Sequence, residues 1–339
     1  MSFTVAVVPA GQWGTALAVP FARRGHRVRL WFRKPEAAAG FRSRRQNPRL
    51  PGITLPENVT ATDDVAEAVD GADIIVIAPA SRGLAAVCRR LAPHLPPGAV
   101  LVSAVKGLFA AGPALPSGII ARELPALASQ IAVLSGPNFA VEVARELPAG
   151  TVVASSDPAV ARFVQEALMT DRFRVWTSED VIGVQLGGAL KNVIAIGAGL
   201  SDGLGMGHNA RAALITRGVA EITRLGLAMG ANPLTFAGMS GIGDLILTCT
   251  SDLSRNRQAG LAVAAGETPE QYEARAGATV EGIPAAWAAH HLAIELGVEM
   301  PITAQVYRVL YEGLPPIAGV RQLMTREPTA ELAAGRFRG

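Results

Sequence analysis

The chain has 339 residues, of which half are apolar and 17% are charged. This composition excludes a disordered protein and gives enough chain for two domains with cores of their own. The net charge of +3 is too small and too scattered to indicate a nucleic-acid partner, but it suits a small anionic substrate. Cys88 and Cys249 lie far apart in no metal-ligand spacing, so we expect an intracellular protein without a metal site.

The N-terminal stretch has the apolar character of a signal sequence or a membrane span, since residues 1–22 carry no charged side chain. A signal peptide has its basic residues before the apolar run, whereas Arg23 and Arg24 follow it. Pro9, Gly11 and Pro20 also interrupt the run, which makes it a poor membrane span. We therefore predict a strand, a turn and a helix, with no targeting or membrane segment, although Pro20 is expected to kink the helix.

Residues 1–180 alternate short β-branched runs with helical stretches, which predicts a doubly wound parallel sheet of the Rossmann type. Several of the runs lack any apolar/polar alternation, as expected for strands that helices cover on both faces. The predicted strands are Thr4–Val8, Arg27–Phe32, Ile74–Ala78, Val100–Ser103, Ile131–Leu134, Thr151–Ala154 and Phe173–Trp176.

Beyond residue 180 the strand pattern ends, and residues 181–330 are predicted to form a second, mostly α-helical domain. We predict a helix capped by Ser178 that runs to about Leu200, and another capped by Asn209 that reaches about Met229. Further signals are prolines at predicted helix starts and a glycine at a helix end, namely Pro233, Pro269, Pro301 and Gly297.

The first strand leads into the segment Pro9–Gly14 and then a helical run, the position at which dinucleotide-binding proteins carry G-x-G-x-x-G. Pro9 replaces the first glycine of that motif. Gly11 and Gly14 keep the two functions that need a missing side chain, which are close approach to phosphate and close packing of helix on strand. The segment predicts a pyrophosphate site at the helix N-terminus.

Arg33 and Lys34 follow the second strand, where an acidic residue is usual in NAD-binding proteins. Two adjacent cations suit the 2′-phosphate of NADP, so NADP is the favoured cofactor. Glu36 keeps NAD possible, and an ordinary basic surface turn is the alternative.

Lysine is scarce in this chain, because only Lys34, Lys106 and Lys191 occur among 31 basic residues. Arginine replaces lysine at most exposed sites, so a remaining lysine can mark a place that needs a titratable ammonium. Lys106 follows a predicted buried strand, and Lys191 lies within an apolar helical run, where desolvation lowers the pKa of an ammonium. We interpret both as candidate site residues; leftover surface lysines are the alternative.

Two later segments carry polar groups suited to a phosphorylated substrate. Asp244, in Gly241–Asp244, is placed to hold a lysine or accept from a substrate hydroxyl. Arg255, between Ser254 and Asn256, offers a bidentate phosphate donor. Taken alone, the Ser254–Asn256 run predicts an exposed loop.

In their order along the chain, these segments resemble the bacterial NAD(P)-dependent glycerol-3-phosphate dehydrogenases. The resemblance extends from Phe3 to about Met324 and is most specific in Lys191–Gly199 and Gly238–Arg257. The matching motifs are Gly11-x-Trp13-Gly14-Thr15-Ala16-Leu17-Ala18, Leu30-Trp31-x-Arg33, Lys106-Gly107, Ser135-Gly136-Pro137, Lys191-Asn192-Val193-x-Ala195-Ile196-Gly197-x-Gly199, Asn209-x-x-Ala212-Ala213-Leu214 and Gly243-Asp244-Leu245.

The resemblance implies NAD(P)H-dependent interconversion of dihydroxyacetone phosphate and glycerol 3-phosphate by a cytoplasmic homodimer that supplies phospholipid synthesis. It implies that Lys191 is the catalytic proton donor and acceptor, with Lys106 beside it. The implied substrate contacts are Lys106, Gly136, Asn138, Asp244, Ser254, Arg255 and Asn256. The implied cofactor contacts are Gly11, Gln12, Trp13, Gly14, Arg33, Lys34, Lys106, Ala140, Arg255, Thr279 and Glu281.

The chain departs from the family pattern at Pro9, Gln12 and Asn138, where glycine, serine and a small or hydroxylated residue are expected. These departures bear on cofactor affinity and preference more than on the type of reaction. Two alternatives remain open at this point. One is a Rossmann dehydrogenase of the hydroxyacyl-CoA or β-hydroxyacid type, for which His208 is the available histidine. The other is a non-catalytic NADP-sensing module, which would not need Lys191, Asp244 and Arg255 together.

Overall fold

The computed structural model describes residues 2–109, 114–328 and 330–331. In these ranges, eight strands form one sheet in the order β3-β2-β1-β4-β5-β6-β7-β8. The strands are β1 (Thr4–Val8), β2 (Arg27–Trp31), β3 (Val59–Thr62), β4 (Ile74–Ile77), β5 (Val100–Ser103), β6 (Ile131–Ser135), β7 (Ala149–Ala154) and β8 (Phe173–Ser178).

The sheet is doubly wound, as predicted, and its neighbouring strands pair in parallel from β3 through β6. The strand order reverses between β1 and β4, and open α/β sheets bind ligands at such a switch point, outside the carboxyl ends of the strands. One pairing departs from the parallel arrangement: β6 and β7 are antiparallel, whereas β8 is parallel to β7. The last two strands therefore point their carboxyl ends the other way.

The helices fall into two groups on either side of residue 180. Among the described residues, seven accompany the strands: α1 (Gln12–Arg23), α2 (Pro35–Arg44), α3 (Val65–Val69), α4 (Leu84–Leu91), α5 (Pro116–Glu123), α6 (Ala140–Ala144) and α7 (Pro158–Leu168). The others are α8 (Val181–Gly203), α9 (Gly207–Ala228), α10 (Asp244–Thr250), α11 (Arg255–Ala264), α12 (Pro269–Ala276), α13 (Gly282–Glu295), α14 (Pro301–Tyr311) and α15 (Pro316–Met324). We call the region through β8 the sheet half and the region from α8 onward the helical half.

Each half is built around buried apolar side chains. In the sheet half, Val5 and Leu30 belong to the core on one face of the sheet, and Ile75 and Leu101 to the core on the other. The strands are therefore apolar on both faces, which explains their uninterrupted β-branched runs. The helical half has its own core, in which Val193 and Ile196 of α8 are central.

Helix α8 is long and apolar enough to cross a membrane when judged by length and composition alone, but 89% of its most apolar window is buried inside the protein. It contacts α9, α10, α11, α13 and α14. It is therefore the central helix of the helical half, and any polar side chain on it faces protein.

Two predicted helix starts need correction. Asp180, not Ser178, caps α8, because the Asp180 carboxylate accepts from Gly183 N at 2.8 Å. The Ser178 hydroxyl accepts instead from Asp180 N, which lies before the helix begins. Helix α9 begins at Gly207, so Asn209 lies inside it. The predicted starts at Pro269 and Pro301 are confirmed, and a short 3-10 turn begins at Pro233.

Candidate active site

A buried ammonium lies at the centre of the candidate site. Lys191, in the middle of α8, is only 7% exposed. Its Nζ donates to Asp244 Oδ1 and, at 2.9 Å, to Thr248 Oγ1. Asp244 and Thr248 are one turn apart on α10, so they meet Lys191 from the same helix face. Lys191 is therefore buried, as its apolar surroundings in the sequence predict.

A second ammonium shares the same carboxylate. Lys106 follows β5 and donates from Nζ to Asp244 Oδ2 at 2.7 Å and to the Gly136 carbonyl at 2.8 Å. Asp244 has no exposed surface, and its Oδ1 accepts from Lys191 while its Oδ2 accepts from Lys106. The sheet half and the helical half thus each contribute one lysine to a single carboxylate.

The electrostatics of this triad favour proton exchange at Lys191. Burial lowers the pKa of the Lys191 ammonium to about 8, the positive charge of Lys106 acts in the same direction, and the Asp244 carboxylate opposes both. A positioned acid or base is most effective when its pKa lies near the working pH. Lys191 is thus poised to give up a proton and to take one back.

The packing of α8 explains how loops come so close to Lys191. A Cβ on Gly188 would collide with the hydroxyl of Ser135 and lie 3.5 Å from the Lys106 stem. A Cβ on Gly187 would collide with the backbone of Ser240, in the segment that leads to Asp244. The glycine pair removes side chains where the β6 loop and the Asp244 segment approach the helix.

The Ser254–Asn256 run is a helix start and not the exposed loop that the sequence alone indicates. Ser254 caps α11 by accepting from Arg257 N at 3.2 Å. Arg255 is exposed and donates to the Thr279 carbonyl at 3.3 Å. Asn256 Nδ2 donates to Asn192 Oδ1 at 2.8 Å, which links the run to the residue next to Lys191.

At the first turn of α1, the structure fits a dinucleotide. The helix begins at Gln12, and its N-cap Gly11 makes no side-chain capping bond, so the first backbone N–H groups are open to an anion. A Cβ on Gly11 would meet nothing within 4 Å, which leaves the backbone approachable. The Trp13 Nε1 donor is buried without a hydrogen-bond partner among the described residues. An unsatisfied buried donor beside a bare helix N-terminus is what a phosphate-bearing ligand would satisfy.

Gly14 has the packing function that its place in the motif predicts. A Cβ there would lie 2.8 Å from the Pro9 carbonyl oxygen and 2.9 Å from Val7 Cγ1. Only glycine lets α1 lie this close to β1. Gln12, by contrast, donates from Nε2 to the Arg49 carbonyl at 3.1 Å, so the loop after α2 folds back over the start of α1.

The remaining predicted cofactor residues lie in three places. Arg33 and Lys34 are exposed between β2 and α2, and Ala140 is the first residue of α6. Thr279 and Glu281 precede α13 in the helical half, where the Glu281 carboxylate accepts from Ser81 of the sheet half. Glu281 is thus already engaged across the boundary between the halves.

Asn138, which departs from the family pattern, has one side-chain group engaged in holding the fold and one left without a partner among the described residues. Its Nδ2 donates to the Gly150 carbonyl at 2.9 Å, which ties the β6 loop to β7. Its Oδ1 is buried and has no partner among the described residues. The free acceptor is the side of Asn138 that could contact a ligand.

Sequence reasoning did not identify four polar groups of this region. Thr248 and Asn192 contact Lys191 or its neighbours, and the hydroxyls of Ser103 and Ser135, at the ends of β5 and β6, are buried without partners in the described ranges. The i,i+4 spacing of Asp244 and Thr248 places both on one face of α10, but no helix was predicted over these residues. The two serines lie at strand ends, where ligand contacts are expected.

A cavity of about 820 Å³ lies elsewhere, between α8, α9, α14 and α15. Its walls include Leu200, Leu214 and Val306, and none of the predicted site residues lines it. In the part of the chain that the structure describes, no group of three His, Cys, Asp or Glu side chains is placed to hold a metal ion. The triad of Lys191, Lys106 and Asp244 is therefore the candidate catalytic centre.

A doubly wound sheet with a bare helix N-terminus, joined to a helical half that contributes a buried lysine, is the arrangement expected of a nicotinamide-dependent dehydrogenase. The family models agree: the N-terminal model of NAD-dependent glycerol-3-phosphate dehydrogenase matches residues 4–161, and the C-terminal model matches residues 180–321. The chain belongs to the NAD-dependent glycerol-3-phosphate dehydrogenase family.

Individual relatives are similar to this chain over nearly its whole length. A glycerol-3-phosphate dehydrogenase [NAD(P)+] of Symbiobacterium thermophilum is 56% identical over 328 residues, which cover 97% of this chain and 95% of the relative. The crystal structure of glycerol-3-phosphate dehydrogenase from Coxiella burnetii is 39% identical with a TM-score of 0.90, covering 96% of this chain and 99% of that one. A ketopantoate reductase from Ralstonia eutropha, 16% identical with a TM-score of 0.57 over 94% of this chain and 99% of that one, shares the fold alone.

Proposed function

We propose that this chain catalyses the reversible, NAD(P)H-dependent reduction of dihydroxyacetone phosphate to sn-glycerol 3-phosphate. The observation that carries the proposal is the buried triad in which Asp244 holds Lys191 and Lys106. Such a site serves a reaction that places negative charge on a substrate oxygen and then neutralises it with a proton.

When bound, the reduced nicotinamide supplies the hydride that the carbonyl carbon of the substrate receives. Lys191 donates a proton from Nζ to the carbonyl oxygen as negative charge develops there, which yields the alcohol. Lys106 stabilises the same charge electrostatically. Asp244 fixes both ammonium groups, and Thr248 accepts from Lys191 and limits its rotation. In the reverse direction, neutral Lys191 takes the hydroxyl proton.

Substrate contacts are proposed at the start of α11 and in the β6 loop. Arg255 is exposed, and its planar guanidinium suits bidentate binding of the substrate phosphate. Ser254, Asn256, Gly136 and the free Oδ1 of Asn138 complete the proposed set. Asn256 would contribute its position more than a free donor, because it already bonds Asn192 and Gly282.

Cofactor contacts are proposed at Gly11–Gly14, where pyrophosphate would be held, and at Arg33 and Lys34, whose exposed charges favour the 2′-phosphate of NADP. Lys106, Ala140, Arg255, Thr279 and Glu281 complete the proposed cofactor set. NADP is thus the proposed preference, with NAD as the alternative.

The division into a dinucleotide-binding domain (1–180) and a substrate domain (181–330), a cytoplasmic location, a homodimer and a function in phospholipid synthesis complete the proposal. The hydroxyacyl-CoA alternative lacks support at His208, which is exposed and hydrogen-bonded to Arg211. The NADP-sensing alternative gives no reason to hold two lysines on one buried carboxylate.

The test is oxidation of NADPH and of NADH, measured separately on adding dihydroxyacetone phosphate to the purified protein. We expect turnover with both cofactors and a lower KM for NADPH. Unphosphorylated dihydroxyacetone should be a very poor substrate, because remote binding energy contributes to the chemical step. No turnover of dihydroxyacetone phosphate with either cofactor would overturn the proposal.

A further inference from the structure

Ser81 and Glu281 join the sheet half to the helical half, and Ser81 belongs to neither the proposed substrate set nor the proposed cofactor set. Ser81 lies in the turn after β4 and is 4% exposed. Its Oγ donates to Glu281 Oε2 at 2.5 Å, and its backbone N–H donates to Glu281 Oε1 at 3.1 Å. One residue of the sheet half therefore occupies both oxygens of a carboxylate on the helical half. Hydrogen bonds to an ionised carboxylate are stronger than those between neutral groups.

On the sheet side, Ser81 supports the segment that carries Lys106. A Cβ placed on Gly107 would collide with the Cβ of Ser81. The backbone of Gly107 therefore packs directly against Ser81. A shift of Ser81 would displace Gly107, which is the residue next to Lys106.

On the helical side, Glu281 is followed by a chain of hydrogen bonds that leads back to the same lysine. Gly282 N donates to Asn256 Oδ1 at 2.8 Å, and Asn256 Nδ2 donates to Asn192 Oδ1 at 2.8 Å. Asn192 Nδ2 in turn donates to the Lys106 carbonyl at 3.3 Å. The contacts thus form a closed circuit that crosses between the halves twice, with the Ser81–Glu281 pair as one crossing.

We infer that Ser81 is a positioning residue, and that its pair with Glu281, here called the interdomain clasp, sets the placement of Lys106 and Arg255 relative to Lys191. Arg255 moves with this circuit because it precedes Asn256 on α11. Loss of the Ser81 hydroxyl leaves the N–H bond in place but removes the shorter bond, so the two halves are held less tightly at this crossing of the circuit. This inference rests on the proposed function for its catalytic consequence.

The activity test is a double-mutant cycle of Ser81→Ala and Glu281→Gln, with Arg82→Ala as the matched control. Arg82 is the next residue and pairs across the same boundary with Glu273 at 3.9 Å, but its side chain is 58% exposed, and such pairs contribute little. We expect Ser81→Ala to lower kcat/KM for dihydroxyacetone phosphate by about ten-fold, mainly through kcat, because displacement of reacting groups slows the chemical step. The double variant should be no worse than the more severe single variant, since Glu281→Gln removes the charge of the acceptor in the same bond that Ser81→Ala removes.

Arg82→Ala should stay within about two-fold of the parent, as expected for an exposed pair. The dissociation constant of NADPH, measured by fluorescence, should change by less than about three-fold in Ser81→Ala, since its hydroxyl is already donated to Glu281. If NADPH binding weakened as much as kcat/KM falls, Ser81 would be a cofactor contact and the inference would be wrong. Additive effects of the two substitutions would also overturn it.

Hydrogen–deuterium exchange tests the clasp without relying on turnover. In the ligand-free protein, Ser81→Ala should speed exchange in residues 104–108 and at the Gly282 amide, whereas Arg82→Ala should not. Unchanged exchange in Ser81→Ala would overturn the inference whatever the activity. Faster exchange in a protein whose parent does not reduce dihydroxyacetone phosphate would support the clasp and reject the proposed function.

Discussion

Two ammonium groups share one carboxylate at the centre of this protein, and the arrangement decides their chemistry. Asp244 is fully buried, and its single negative charge is matched against the two positive charges of Lys106 and Lys191. The three groups together therefore carry one excess positive charge in a region of low dielectric. Such a charge is costly unless it can be lost, and Lys191, the more buried lysine, is the group that can lose it. The same excess charge stabilises an oxyanion on a substrate.

The lowered pKa of Lys191, about 8, predicts opposite pH profiles for the two directions. Reduction needs the ammonium as proton donor, so kcat/KM for dihydroxyacetone phosphate should fall as the pH rises through about 8. Oxidation needs the neutral amine, so kcat/KM for glycerol 3-phosphate should rise through the same range. Both profiles can be measured from pH 6 to pH 10 (about four units, which brackets an ammonium lowered by burial). A reductive rate that stays flat across this range would mean that another group supplies the proton.

At the scale of single residues, the sequence predicted the charged members of the candidate site but not the neutral side chains that contact them. Lys106 and Lys191 stood out because lysine is scarce in an arginine-rich chain. Asp244 was predicted as a candidate to hold a lysine, and the structure places it there. Thr248 and Asn192 are ordinary in sequence, and their importance comes from contacts across 57 and 86 residues of chain.

At the scale of elements, the start of α11 offers the sharpest test of substrate binding. Arg255→Lys keeps the positive charge but loses the planar two-pronged donor. We expect KM for dihydroxyacetone phosphate to rise by roughly ten-fold or more, the equivalent of about 1.5–3 kcal/mol for a charged hydrogen bond. Arg211→Lys, a change on α9 in an arginine bonded to Asp202, serves as the control. If Arg255→Lys leaves KM at the parental value, Arg255 does not bind the phosphate.

The turn between β2 and α2 carries the proposed preference for NADP. Replacing Arg33 and Lys34 together by alanine should raise KM for NADPH far more than KM for NADH, because only NADPH has the 2′-phosphate. Each charged contact with phosphate contributes on the order of 1–3 kcal/mol. Arg44→Ala, an exposed change at the far end of α2, should affect neither cofactor. Equal effects of the double change on both cofactors would show that the pair is only a basic turn.

Most elements could be predicted because their patterns are local. The strands covered on both faces came within two residues of their observed bounds, since buried β-branched runs are distinctive. Val59–Thr62 was missed because this edge strand has only four residues, of which only Val59 and Thr62 are buried, so it lacks the apolar run of the central strands. The cap of α8 was misplaced by two residues, because Ser178 and Asp180 are both good caps and only the backbone decides between them.

At the scale of the whole molecule, the site exists only because the two halves meet. Lys106 comes from the sheet half, and Lys191 and Asp244 come from the helical half. Sequence patterns give the elements of each half but not their relative placement, which depends on close approaches such as Gly188 to Ser135. The antiparallel pairing of β6 with β7 is also a matter of long-range packing. The contact between Ser81 and Glu281, 200 residues apart, lies beyond any local pattern.

The central claim is that Lys191 is the proton donor, and it is tested most directly by Lys191→Met and Lys191→Arg. Methionine keeps most of the volume and leaves Asp244 paired with Lys106, so folding should survive. Arginine keeps the charge but holds its proton too tightly to donate it. NADPH binding by fluorescence and turnover of dihydroxyacetone phosphate should be measured on the same preparations.

We predict that both variants bind NADPH as the parent does, because the proposed cofactor contacts lie mainly in the sheet half. Turnover should fall by roughly two to four orders of magnitude, the usual contribution of a positioned acid. If either variant keeps turnover near the parental value, Lys191 is structural, and Lys106 would have to be the donor.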